Sequence, residues 1–195
     1  DLSRLAVASV YNQLIALGDK PFDIFAKLQG LLSVRQLRQV NINAVSGGGS
    51  TTADIGIVTL TVPGNRFNIG DVLDLTASGV YTKPISGGTT INFWVKINGV
   101  KRLTLTHQPN NSRTNLPWFF KGDLVVRDIG SAGDIVIEGF KLINTSATAT
   151  TAVNAAGTVP LTDTTANVTI QIGFNFSNSN ASNNVTASMG QILQR

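Results

Sequence analysis

A chain of 195 residues with 42% hydrophobic content and no cysteine accommodates one domain of roughly 140 to 150 residues plus an appendage. A domain of that size buries roughly 68 to 70% of its unfolded surface and needs no covalent staple, while the missing thiols exclude disulfides and thiolate metal sites. Only 13% of residues are charged and the net charge is +4, so Ser, Thr, Asn and Gly must solvate the surface. That composition is typical of extracellular or virion β-proteins rather than cytosolic enzymes.

No basic run interleaved with aromatics occurs, so no nucleic-acid partner is expected. No apolar run approaches the ~20 residues that cross a bilayer, so no membrane span is expected either. The N-terminus carries no basic segment ahead of an apolar core, and a secretory leader is not expected.

Residues 1–45 read as a helical arm for attachment or oligomerisation. Val7, Val10, Leu14 and Leu17 recur at spacings of three, four and three, with Leu5 and Tyr11 widening the stripe, as on one face of an amphipathic helix. Gly18 ends that helix. Pro21 suits the first turn of a second helix, which continues through Phe22, Phe25, Leu28 and Leu32. Helices this short are marginal alone in water, so their apolar faces need cover. Two covers are open: the β-domain of the same chain, or other copies and a larger assembly. From Val34 onward the spacing drifts toward alternation, and a short strand is expected around Val40 to Val45. Residues 46–52, SGGGSTT, then read as a flexible tether and domain boundary.

Residues 53–195 read as a β-domain. Ile55, Leu60 and Val62 form a first strand stopped by Pro63-Gly64-Asn65, and Leu73, Leu75, Ala77 and Tyr81 share a face in the next. Ile91, Phe93, Val95 and Ile97 alternate with Asn92, Trp94 and Lys96. Asn98-Gly99 then gives the strongest hairpin signal in the chain, leading to Leu103 and Leu105. The clearest supersecondary unit spans Pro117 to Ile143: two alternating arms around Gly130-Ser131-Ala132-Gly133. A Thr/Ala/Asn-rich segment from Thr145 to Thr165 holds one irregular edge strand. Val168, Ile170, Ile172, Phe174 and Phe176 make the penultimate strand, and Val185, Ala187, Met189, Ile192 and Leu193 the last. Eight or nine strands are expected, stacked as an antiparallel, jelly-roll-like β-sandwich.

Chemistry-bearing residues are sparse. His107 is the only histidine and Glu138 the only glutamate, so neither a Ser-His-Asp relay nor a multi-histidine metal site is expected within one chain. No catalytic residue and no cofactor is assigned. His107 reads as a solvated loop residue beside the Pro109-Asn110-Asn111 turn, and Glu138 as an outward strand residue paired to a cation. Asp71 and Asp74 read as turn and edge residues rather than a glycosidase pair. Asp123, Asp128 and Asp134 flank one hairpin without an EF-hand spacing. From Lys83 to Lys121 the charged residues are Lys83, Lys96, Lys101, Arg102, Arg113 and Lys121, with no Asp or Glu among them. That stretch is either a solvated edge that discourages strand pairing or a basic face for an acidic partner such as a capsid surface or an anionic cell-surface glycan. Trp94 and Trp118 are the candidate aromatic platforms for a sugar, or else anchors at a subunit contact.

Val62-Pro63 followed by Ile69-Gly70-Asp71-Val72-Leu73-Asp74-Leu75-Thr76-Ala77-Ser78-Gly79-Val80-Tyr81 resembles the opening of β-domains at the C-termini of tailed-bacteriophage minor structural proteins. Phe93-Trp94-Val95-Lys96-Ile97-Asn98-Gly99, Trp118, Leu124-Val125-Val126-Arg127, Gly130, Gly133 and Gly139 continue the likeness over residues 54–193. The resemblance is a spacing of turns and core positions. It implies a non-enzymatic jelly-roll module of a virion, trimeric, used as a fibre or capsid decoration, with other virion proteins of capsid, portal or tail as partners. It carries over no catalytic residue and does not reach the helical arm.

Overall fold

Apolar residues at every second position become the inward faces of two stacked antiparallel sheets in the computed structural model, which describes residues 37–48, 52–83, 90–107, 113–144, 150–179 and 182–195. In chain order the strands are β1 (Arg38–Asn41), β2 (Val45–Gly48), β3 (Ile55–Val62), β4 (Val72–Lys83), β5 (Ile91–Ile97), β6 (Val100–His107), β7 (Arg113–Val126), β8 (Gly133–Asn144), β9 (Thr150–Thr162), β10 (Val168–Phe176) and β11 (Asn184–Gln194). The larger sheet runs β1-β11-β4-β7-β8-β9, with β2 also on β11, and the smaller runs β3-β10-β5-β6. Arg38–Arg195 form one unit. The arm residues Val7, Val10, Leu14, Leu17, Phe22, Phe25 and Leu28 lie outside the described residues.

The core is where the two inward faces meet. Leu73, Leu75 and Ala77 of β4, Trp118, Phe120 and Leu124 of β7, and Ile135 and Ile137 of β8 are buried from the larger sheet. Phe93 and Val95 of β5, Leu103 and Leu105 of β6, and Ile170, Ile172 and Phe174 of β10 are buried from the smaller. Phe93 and Trp118 join the layers directly, with ring centroids 4.6 Å apart. Each such side chain contributes about 1.5 to 3 kcal/mol on burial, which explains how the fold holds without a disulfide.

The hairpin read from Pro117 to Ile143 is β7 and β8, paired from Trp118↔Ile143 to Val126↔Ile135. Its turn is held from outside: the Gly130 N–H donates to Thr164 Oγ1 at 2.7 Å, and Gly130 adopts a φ of 112° that a side chain would strain. Asn98 and Gly99 take φ of 50° and 80° between β5 and β6, as an Asn-Gly hairpin requires.

One expectation is corrected. Ser46, Gly47 and Gly48 are not tether but the body of β2, paired with Thr186, Val185 and Asn184. Gly47 is there for closeness rather than freedom, since a Cβ would sit 2.2 Å from Ile55 Cδ1 and 2.7 Å from Phe174 Cε2. In β11 the register with β4 slips between Ala187 and Met189, a bulge that inserts Ser188 and reverses the alternation. Ile192 is therefore buried, while Met189 and Leu193 are only half-buried. Residues 53–195 hold nine strands, β3 to β11, in line with the eight or nine expected there, and residues 38–48 supply two further short ones.

Candidate binding surface

The basic residues between Lys83 and Lys121 do not form one face. Lys96 and Lys101 stand on β5 and β6 of the smaller sheet, whereas Lys121 stands on β7 of the larger sheet. Lys83 and Arg113 are register partners on β4 and β7 of the larger sheet. A stretch without carboxylates in sequence thus divides between the two sheets, because the chain crosses layers after β4 and again after β6.

What does assemble is a cluster on the outward face of the smaller sheet. Lys96 and Lys101 are brought side by side by the β5–β6 ladder. Asp54, just ahead of β3, reaches both: its Oδ2 lies 2.8 Å from Lys96 Nζ and its Oδ1 2.5 Å from Lys101 Nζ. Lys101 Nζ also donates to Asn175 Oδ1 at 3.4 Å. Both ammonium groups lie over Trp94, 4.7 and 5.7 Å from its ring centroid, a cation–π arrangement. Arg102 is the extra residue where the register shifts between Lys96↔Lys101 and Val95↔Leu103, and it is exposed.

Neither tryptophan is available as a sugar platform. Trp94 is 0% exposed and Trp118 3%. Trp118 belongs to the inward face of β7, as the alternation with Phe120 and Leu124 implies. Trp94 was read as outward and does point outward, yet it is roofed by the two lysines and floored by Gly173, its register partner on β10. A Cβ at Gly173 would come within 2.3 Å of the indole, so the glycine is the slot into which the ring fits. The signal for this was present in the sequence as Gly173 amid an otherwise bulky strand.

His107 is likewise corrected. β6 extends through it, the inward alternation Leu103, Leu105, His107 continues, and the imidazole is 6% exposed with its ring edge-on to Tyr81 at 5.8 Å. Two of the carboxylates serve local backbone: Asp71 Oδ2 accepts the Asn68 N–H at 2.8 Å in a turn, and Asp128 Oδ1 accepts the Ile129 N–H at 2.8 Å. Asp74, Asp123 and Glu138 occupy one register row across β4, β7 and β8. Arg195 pairs with two of them, at 2.7 Å to Asp74 and 2.8 Å to Asp123. Glu138 thus stands opposite Asp123, not opposite the cation expected for it. Among the described residues no group of three His, Cys, Asp or Glu is arranged to hold a metal.

Partial burial raises the Asp54 carboxyl, but hydrogen bonds and charge from Lys101 and Lys96 outweigh it and hold the group below its ordinary value. A depressed acid stabilises the fold above its unfolded-state value and loses that contribution as pH falls through the folded-state value. Asp54→Asn is therefore expected to cost about 0.5 to 1 kcal/mol at pH 7, given solvent screening. The gap to the parent chain should close in urea melts taken below the carboxylate range. A gap independent of pH would mean that the pairing contributes nothing.

No protein-family model matches the chain, and no curated protein sequence does. Among solved structures, the VP2 subviral particle of infectious bursal disease virus aligns with a TM-score of 0.35 and 10% identity, covering 82% of this chain and 32% of that one. The C-terminal domain of EclA, a sugar-binding protein, aligns at 0.33 and 11%, covering 77% and 78%. The CBM2 module of the evolved Dit of Lactobacillus casei BL23 phage J-1 aligns at 0.32 and 9%, covering 70% and 67%. The chain spans about a third of the first of these, and likeness at this level decides neither topology nor function.

Proposed function

We propose that this chain is a non-enzymatic structural component of a tailed-phage virion, a jelly-roll-like sandwich displayed on the particle as a decoration or fibre subunit and anchored through its N-terminal arm. The observation that carries the reading is the use the fold makes of the residues on which the phage resemblance rests. Gly70, Asn98, Gly99 and Gly130 are its positive-φ turn residues. Leu73, Leu75, Ala77, Tyr81, Phe93, Trp94 and Trp118 are buried, so the resembling positions are fold-determining ones. The poverty in His and Glu, one of each, places an enzyme last.

A glycan-binding module is the weaker reading, because the two rings that would have served as platforms are out of solvent. Among the described candidate side chains, the lysine cluster and Arg102 remain for it. The test is mass spectrometry of gradient-purified tailed-phage particles from the source culture. The chain is expected in the particle fraction, many copies per particle for a decoration protein and few for a fibre. Its confinement to the soluble lysate would overturn the proposal.

A further inference from the structure

The outermost strands of the two sheets each expose a row of backbone N–H and C=O groups, which invites pairing unless it is blunted. Three of the four edges are blunted. Along β3, the Asn41 side chain reaches over from β1 and its Nδ2 donates to the Ile57 carbonyl at 2.7 Å. Along β6, Lys101 and Arg102 put two cations on the edge, with a register break beside them. Beyond β11 the larger sheet ends in two pieces of four residues each, β1 and β2, the first beginning at Arg38.

The fourth edge, β9, has none of these devices along most of its length. It runs for 13 residues and pairs with β8 in unbroken register from Asn144↔Thr150 to Ile135↔Val159. On its other side it forms no ladder with any described strand; β6 passes near it without pairing. No charged residue occurs from Leu142 to Thr162. Only its far end is interrupted, by Pro160, which lacks an N–H, and by the register shift before Gly133↔Thr162.

We propose that β9 is a self-association edge: two copies of the chain pair β9 with β9, antiparallel about a two-fold axis, so that the larger sheet continues from one subunit into the other. An isologous contact requires a surface complementary to itself, and β9 meets that condition in sequence. With Ala156 opposite its own counterpart, Val153 faces Val159, Asn154 faces Thr158 and Ala155 faces Gly157. β-branched residues meet β-branched residues, an amide meets a hydroxyl and small meets small, all favourable cross-strand pairs. A charged edge would oppose like charges about the same axis, and β9 has none to oppose. The segment Val153–Val159 is centred on Ala156 and stops at Pro160, where the ladder has to end. The β9 contact is independent of the virion role and makes pairs of chains where the phage resemblance implies threes.

The full chain lacks cysteine, which makes the register directly testable. Antiparallel partners have Cα atoms about 4.5 to 5.5 Å apart, within the span of a disulfide. Ala156→Cys should therefore give a disulfide-linked dimer under mild oxidation, whereas Thr150→Cys, outside the Val153–Val159 ladder, should not. In sedimentation velocity, Asn154→Lys with Thr158→Lys places like charges opposite each other and should raise the dimer dissociation constant at least tenfold. Asn154→Glu with Thr158→Lys places opposite charges there and should keep the dimer. Positions 154 and 158 are in register with Phe140 and Val136, and thermal melts of both variants, which share the same two substituted positions, separate loss of the dimer from loss of the fold. A monomeric parent, a three-fold assembly, association insensitive to both charge variants, or no cross-link at residue 156 would each overturn the proposal.

Discussion

Phe93→Ala should lower the free energy of unfolding by about 3 to 5 kcal/mol, and Phe174→Ala by a similar amount. Both side chains are fully buried on the inward face of the smaller sheet. Phe93 stacks on Trp118 of the opposite sheet, and Phe174 meets Phe176 edge-on at 6.3 Å. Truncation removes contacts to both layers at once, and the strands on either side are tied into their ladders and cannot collapse into the void. The cost is thus the lost transfer energy plus the cavity. It is read as a shift in denaturant midpoint at constant m-value. A loss under about 1 kcal/mol at both sites would mean that the inward faces are not these.

Trp94→Ala should cost as much as a core truncation, about 3 to 5 kcal/mol, although Trp94 stands on the outward face of its sheet. The indole fills the slot over Gly173 and carries Lys96 and Lys101 on its upper surface, both tied to Asp54. Removing the ring leaves a trough across β5 and β10 and takes away the apolar surface on which the lysine stems lie. Iodide should quench little of the parent chain's emission, and titration with cell-envelope polysaccharide should leave that emission unchanged. A near-neutral Trp94→Ala with strong iodide quenching would restore the ring as an exposed platform.

The legible and illegible parts of the fold differ in a physical way. Leu73, Leu75 and Ala77, or Val168, Ile170, Ile172, Phe174 and Phe176, alternate because one face of a strand is wet and the other dry, and that is a local property of the chain. Gly47 was misread, and the signal at Gly173 was passed over, because glycine has two uses. Ser-Gly-Gly-Gly reads as freedom, but at Gly47 the backbone has to pass beside Ile55 and Phe174, and at Gly173 it has to admit an indole. His107 was read from its neighbour Pro109 rather than from the Leu103, Leu105 phase that continues into it. In β11 one bulged residue shifted the phase, so Met189 and Ile192 could not both be inward.

By itself the sequence determined the mainly β class, the hairpins at Asn98-Gly99 and around Gly130, and most of the buried residues of β4, β5, β7 and β10. These follow from side-chain alternation and turn stereochemistry over a few residues. Only the tertiary structure decided which strands adjoin, and every property of the surface depends on that. Register put Asp54 onto Lys96 and Lys101, set Asp74, Asp123 and Glu138 in one row, divided the basic stretch between two sheets and left β9 as a long uncharged edge. Such neighbours come from strands far apart along the chain, and their meeting depends on how the two sheets close, which spacing in one strand does not encode.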